Sequence, residues 1–327
     1  MRLGALAFGL ILLGAGLLGP QPAFAQAKYP ERPIRLIVPS APGGVADAVG
    51  RHWADRMKAL LGPVVVENQG GAGGLVGGAA VARASPDGYN ILLGSAGVLI
   101  VIPIASHASH DLTRDLTPIS ILGVVPVGFV VHPSLPAHNL EELVHYAKAN
   151  PGKLSYGSSG AGTMTHLAGE LFKSLTGTGD IVHVPYKGAG QSIADLISGH
   201  MPLVSLNVSG HVIALHRSGN VRLLAVTTPA RLIAAPDVPT GIEAGVANMV
   251  ALNFYGLFAP AGTPKAIVEQ VAQATGRGMA DDEFRQKLVA SGFEPSLDSS
   301  PEAAQRFVDG EIGRWRPVIK AIGLKLE

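Results

Sequence analysis

The chain has 327 residues, 47% hydrophobic and 15% charged, with 25 basic against 24 acidic side chains and no cysteine. Balanced charge argues against nucleic acid or an anionic membrane surface as partner, and the lack of cysteine excludes disulfides, thiolate chemistry and a thiol-linked lipid. Aromatic residues, at 5%, are sparse for platforms on which bases or sugars stack, whereas 42 glycines, nearly twice the usual share of roughly 7%, imply many loops lined by bare backbone.

Residues 1–25 read as a cleavable secretory leader: Arg2 supplies a positive start, residues 3–18 an apolar run, and Ala23-Phe24-Ala25 a small-x-small cut site. That run is shorter than the roughly 20 residues of a membrane span, so export to the periplasm is expected rather than anchoring. About 300 residues remain, the length of two domains on a prior of roughly 100 to 200 residues each.

The first strand, 34–38, is almost continuously apolar, as suits a parallel strand covered on both faces. Pro39-Ser40-Ala41-Pro42-Gly43-Gly44 follows, and an amphipathic helix opens at Val45 with Val49, Trp53, Met57 and Leu60 on one stripe. A helix start carries unpaired N–H groups and partial positive charge, and the bare Gly43 and Gly44 let an anion approach them. Asp47, in the first turn, either caps that helix or faces the ligand, and the helix dipole favours the first role.

Strand two, 64–68, leads to Gly70-Gly71-Ala72-Gly73-Gly74. This resembles a phosphate cradle, but no lysine follows it and no acidic residue stands at the dinucleotide offset, so it reads as a tight turn into a helix over 76–84. Strand three, 90–94, ends at Ser95, and residues 103–118 read as irregular surface. An apolar path over 119–125 and 127–131 is interrupted by Pro126, which marks a first crossing between domains. A helix over 140–149 has Asn139 as cap, with Glu141 and Glu142 in its positive first turn.

A second strand, glycine loop and helix start spans 154–163. Here Ser158 and Ser159, between Gly157 and Gly160, together with Thr163, either meet an anion or cap their own helix. The following strand, 181–184, runs into Tyr186-Lys187-Gly188, where Lys187 either neutralises a distal carboxylate or is simply solvated. Strands at 203–206, 223–226 and 253–259, a helix from 265 and a helical pattern over 301–322 complete the chain. The alternation predicts an α/β fold, with parallel sheets covered by helices on both faces and a site at the carboxyl ends of the strands. The histidines show no HExxH spacing, and neither metal nor cofactor is expected.

A rival class is an exported serine hydrolase. Gly157-Ser158-Ser159-Gly160-Ala161 is a degenerate nucleophile elbow centred on Ser159, with His166 or His183 and Asp180 as conceivable partners, but the elbow needs glycine where Ala161 stands.

Taken in order, Pro42-Gly43-Gly44-x-x-Asp47, Glu67-Asn68, Pro86-Asp87-Gly88-Tyr89, Tyr156-Gly157-Ser158-Ser159-Gly160-x-Gly162-Thr163, Val184-Pro185-Tyr186-Lys187-Gly188, Pro236-Asp237-Val238-Pro239-Thr240 and Phe258-Ala259-Pro260-Ala261-Gly262-Thr263-Pro264 form a set that resembles the Bug-type periplasmic receptors of the tripartite tricarboxylate transporter family. The resemblance implies a two-domain periplasmic binding protein type II fold, each domain a mixed sheet flanked by helices, hinged around a small organic acid such as a dicarboxylate, tricarboxylate or aromatic carboxylate. Domain 1 would comprise 26–125 plus 246–327, and domain 2 residues 126–245. It further implies that Pro42, Gly43 and Gly44 and the loop Ser158, Ser159, Gly160 and Thr163 hold a ligand carboxylate, with Ser95, Lys187 and Asn207 shaping the variable part of the pocket. No catalysis is expected, the partners would be transporter membrane subunits or a sensor, and the receptor would be a monomer. Ser40-Ala41 and Phe254 depart from the family pattern and are expected to alter the pocket wall.

Overall fold

The computed structural model describes residues 29–105, 112–296 and 298–326, so the leader reading lies outside the described residues. Among these residues the strands are β1 (Ile34–Val38), β2 (Val64–Asn68), β3 (Asn90–Ser95), β4 (Leu116–Val131), β5 (Ser155–Ser158), β6 (Val182–Pro185), β7 (Leu203–Asn207), β8 (Arg222–Val226), β9 (Leu252–Pro260) and β10 (Glu294–Pro295). The helices are α1 (Val45–Leu60), α2 (Leu75–Ala82), α3 (Ile102–Ala105), α4 (Leu112–Asp115), α5 (Leu140–Ala149), α6 (Met164–Thr176), α7 (Ala189–Ile197), α8 (Gly210–Arg217), α9 (Lys265–Met279), α10 (Asp282–Ala290) and α11 (Pro301–Ala321). No helix among the described residues is long and apolar enough to cross a membrane.

All these strands join one mixed sheet in the order β2-β1-β3-β9-β4-β7-β5-β6, with β8 and β10 also pairing to β4. Parallel pairing holds on both flanks, where β2, β1 and β3 alternate with helices on one side and β7, β5 and β6 on the other. The centre is antiparallel: β9 runs against both β3 and β4, and β4 against β7 and β8. The sheet is mixed, as the resemblance implied, where the alternation alone predicted parallel sheets. The alternation reports only chain direction within each βαβ unit, and β4 and β9 are joined to their neighbours by long excursions outside such units.

Strand β4 runs unbroken through Pro126, where an interruption was expected from sequence. At that point the missing N–H costs nothing, because the strand is exchanging partners: residues 116–126 pair with β9, and residues 127–131 with β7 and β8. The Pro126 carbonyl instead accepts the Val208 amide at 2.8 Å. Residues 103–118 are likewise not irregular surface where they are described. Most of one short helix, all of a second and the start of β4 lie there, with Ala105, Leu112 and Leu116 buried at a spacing that the polar residues between them hide in the sequence.

Three apolar clusters hold the layers. Beneath one face of the first half-sheet, α1 sets Val49, Trp53 and Met57 against α9 and α10, and the Trp53 indole donates to Thr275 Oγ1 at 3.1 Å. The opposite face carries α2, the π-helical segment Gly97–Val101 and α11, and continues without a break beneath α5 and α6. Helices α7 and α8 cover the remaining face of the second half-sheet. Phe254 belongs to the middle cluster, edge-on to Phe307 at 5.1 Å, and so is removed from the pocket wall where it was expected. As neighbours in one strand, Phe254 and Asn253 point to opposite faces.

Candidate functional site

The carboxyl ends of β1, β3, β5, β6 and β7 converge on one seam. Across it, a Cβ built on Gly188 would lie 3.8 Å from the Ala41 side chain, one built on Gly97 3.0 Å from the Gly162 carbonyl, and one built on Gly73 would collide with the Ala161 carbonyl. Loops from both half-sheets thus meet across the seam, and bare glycine backbone allows the close approach at Gly73 and Gly97.

On the β1 side, α1 begins at Gly44 with no side-chain cap, and Pro42 and Gly43 before it are exposed. Asp47 does not face outward to a ligand. One carboxylate oxygen accepts the Gly43 amide at 3.0 Å and Arg51 Nε at 3.1 Å, and the other pairs with Arg51 Nη2 at 2.9 Å. Burial opposes its ionisation, but the bonds from Arg51, Gly43 and Asn68 outweigh that and hold its pKa below the usual carboxylate value. Asn68 completes the brace, donating to the Ser40 carbonyl at 3.2 Å while accepting from Arg51 at 3.3 Å. Asn68 therefore acts on the Pro-Gly-Gly loop from the neighbouring strand, while Glu67 pairs with Arg35 of β1.

On the β5 side the loop is largely satisfied from within. Ser158 is fully buried, its hydroxyl 2.7 Å from His183 Nε2 and accepting the Gly160 amide at 3.2 Å. The Ser159 amide donates to Thr165 Oγ1, the Gly162 amide to His166 Nδ1, and Thr163 caps α6 by accepting the His166 amide. What stays open is the Ser159 hydroxyl, which is buried without a partner among the described residues, as is the hydroxyl of Ser40 on the other half-sheet. Gly160, at φ +137, turns the chain between these groups.

Two histidines that sequence reasoning offered only as catalytic partners prove to be the loop's support. His166 and His183 stack with centroids 3.8 Å apart, and His183 also lies 4.8 Å from the Tyr156 ring. Burial, with Lys173 adding to it, lowers His166 to about 4. Burial, reinforced by His166, lowers His183 to about 3. Neither is poised as a general base near neutral pH, no carboxylate among the described residues hydrogen-bonds to either, and it is Ser158, not Ser159, that His183 reaches.

The other sequence-derived positions lie on the same seam. Lys187 is exposed, one residue before Gly188, which starts α7 without a side-chain cap. Ser95 ends β3 opposite Tyr255, and Asn207 ends β7 opposite Val127. Asn207 donates to Tyr255 Oη at 3.4 Å, and Asn253 donates to the same oxygen at 3.2 Å. Tyr255 and Asn253 were missed from sequence. They carried no motif, and only the antiparallel β9 pairing sets them beside Ser95.

The sequence profile described as "Tripartite tricarboxylate transporter family receptor" matches residues 49–324. The chain belongs to this family. It is 34% identical over 324 residues to Protein BugT of Bordetella pertussis, covering 98% of this chain and 97% of that one. Among solved structures, R. palustris Rpa4515 with adipate is similar at TM-score 0.85 and 33% identity, over 91% of this chain and 99% of that one. MatC (Rpa3494) from Rhodopseudomonas palustris with bound malate is similar at TM-score 0.84 and 28% identity, over 89% of this chain and all of that one. The mixed sheet with flanking helices is thus the fold of periplasmic binding proteins, and the chain is a member of a family of solute-binding receptors.

Proposed function

We propose that the protein is an extracytoplasmic receptor that captures a small organic carboxylate in the cleft between its two half-sheets and delivers it, without chemistry, to a tripartite tricarboxylate-type transporter or to a sensor. The observation that carries this reading is the meeting of the uncapped, glycine-lined start of α1 with loops 158–163 and 186–188 of the other half. Unpaired N–H groups and partial positive charge at Gly44 suit one carboxylate, the Ser40 and Ser159 hydroxyls add donors, and Lys187 stands at the rim. Relatives solved with adipate and malate support an acid of this size as the cargo.

In this reading Pro42, Gly43 and Gly44 form the near grip, Ser159, Gly160 and Thr163 the far one, and Asp47 and Ser158 hold the two loops in shape from behind. The lobes are residues 26–125 with 246–327, and residues 126–245, divided where β4 changes partners and where the return path ties Thr227 to Val127 and Ala251. A ligand can shift the lobes only if it contacts them unequally in the open and closed forms, which a bridge between them does.

Titration calorimetry with a panel of linear dicarboxylates, hydroxy acids and aromatic acids tests the function. A dissociation constant at or below the micromolar range for at least one acid is expected. Binding of none, or binding that survives Gly44→Pro and Ser159→Ala unchanged, overturns the reading.

A further inference from the structure

The antiparallel ladder of β4 with β9 ends at the pair Pro126 and Leu252, and in that register the next rung would join Val127 to Ala251. The two segments part there instead: Val127 pairs with Asn207 of β7, and Ala251 lies just before β9. Thr227, the first residue beyond β8, stands in the fork. Its amide donates to the Val127 carbonyl at 2.8 Å, and its carbonyl accepts the Ala251 amide at 2.9 Å. Its hydroxyl faces the carbonyls of both Val127 and Ala251. Backbone carbonyls only accept, so the hydroxyl is the donor whichever of the two its proton points to.

Thr227 is wholly buried, as are Val127 and Ala251. The residue before it is held on both sides by its own lobe: the Val226 amide donates to the Pro239 carbonyl at 3.0 Å, and the Val226 carbonyl accepts the Gly241 amide at 2.8 Å. Thr227 thus belongs to the lobe of residues 126–245, yet it grips the segments by which the chain enters and leaves that lobe. The Val127 carbonyl also receives the Thr227 amide, whereas the Ala251 carbonyl has the hydroxyl as its donor among the described residues. Loss of the hydroxyl alone would leave that carbonyl buried and bare, freeing the return segment while the first stays tied. Branching at Cβ restricts the side chain to few rotamers, which keeps the hydroxyl aimed into the fork.

We infer that Thr227 is the hinge pin of the receptor, holding both inter-lobe segments at the fork so that the lobes turn about one axis and neither segment slides past the other. The inference rests on the two-lobe receptor reading above and adds the residue about which the lobes turn. Hinges are formed by a few residues at the ends of elements, and here the end of β8, the partner change in β4 and the start of β9 meet at one point. A fixed axis returns the seam loops to the same contacts at every closure. Approaches as close as that of Gly73 to the Ala161 carbonyl leave little room for error.

Because the chain has no cysteine, Ala149→Cys and Ala280→Cys, both at exposed positions, place one spin label in each lobe without interference. Pulsed electron resonance on this labelled pair compares Thr227 with Thr227→Val, which keeps the shape and loses the hydroxyl, and with Thr227→Ser, which keeps the hydroxyl. The valine variant is expected to widen the acid-free distance distribution at least about 1.5-fold and to weaken binding of adipate or malate at least about threefold, and the serine variant to restore both. A lower melting temperature in the valine variant with an unchanged width makes Thr227 merely structural and overturns the inference, and so does a serine variant as wide as valine. Hydrogen exchange of the unmodified protein decides the question even if the valine variant does not fold. Peptides covering residues 225–229 and 249–253 are expected to exchange equally slowly with and without the acid, and faster exchange in its absence overturns the pin. Failure of both acids to bind counts against the receptor reading, while the acid-free widths still decide the role of Thr227.

Discussion

Asp47 illustrates how a charge that sequence offers to a ligand is used up by the loop that presents the ligand. Its carboxylate ties Gly43 to Arg51 four residues on, and so fixes the entry to α1. Asp47→Ala should lower stability by about 1–2 kcal/mol, read from urea unfolding, and weaken acid binding through a loosened loop rather than a lost contact. The stacked pair His166 and His183 gives a pH dependence whose sign follows from burial. Above the ordinary histidine value of 6.5, both rings are neutral in the folded and unfolded chain. As pH falls below that value, unfolded histidines take up protons while the folded ones resist until about 4 and about 3, so the unfolded state binds more protons and stability declines through this window. The charges facing the pair are Lys173, which reinforces the effect, and Glu170, which opposes it at His183. Melting temperature should therefore drop between pH 7 and pH 4 by more in the unmodified protein than in a His166→Gln, His183→Gln double variant, and equal drops would remove the pair from the account.

Elements carry a second group of predictions. Helix α5 opens with a reciprocal cap: Asn139 Oδ1 accepts the Glu142 amide at 2.8 Å, and Glu142 Oε2 reaches back to the His138 amide at 2.7 Å. Asn139→Ala should cost about 1 kcal/mol in urea unfolding, with acid binding unchanged because α5 lies away from the cleft. Strand β4 is more sensitive. Its register slips between Ile121 and Gly123, and Gly123, at φ +152, sits where a Cβ would strike the Glu294 carbonyl of β10. Gly123→Ala should therefore destabilise by about 2–4 kcal/mol, seen as a lower urea midpoint, since backbone rather than a pliant side chain must yield. Helix α1 follows its apolar stripe, with Val49, Trp53 and Met57 buried, but the stripe could not say that α1 packs on α9, more than two hundred residues away, through Trp53 and Thr275.

For the whole molecule, the decisive geometry is the approach of the two half-sheets across the seam. Gly73, at φ +67, lies against the Ala161 carbonyl, so Gly73→Val inserts a branched side chain into that contact and strains a left-handed backbone. We expect this variant to hold the cleft ajar and weaken acid binding at least about tenfold, with small-angle scattering showing a larger radius of gyration than the unmodified protein under saturating acid. Equal radii and equal affinity would mean that closing the seam plays no part in capture.

The sequence by itself determined the βαβ units, the glycine-lined helix starts and the family, because apolar period, turn residues and caps are properties of neighbouring residues and survive without the fold. The resemblance carried by its motifs also pointed to Ser95 and Asn207, which end β3 and β7, and to Lys187, two residues beyond the end of β6. Only the tertiary structure decided that Ser158 turns inward, that Phe254 lies in the core, and that Pro126 is passed without a break. Each of those outcomes depends on a partner distant in the chain: His183 for Ser158, Phe307 for Phe254, and Val208 for the strand at Pro126.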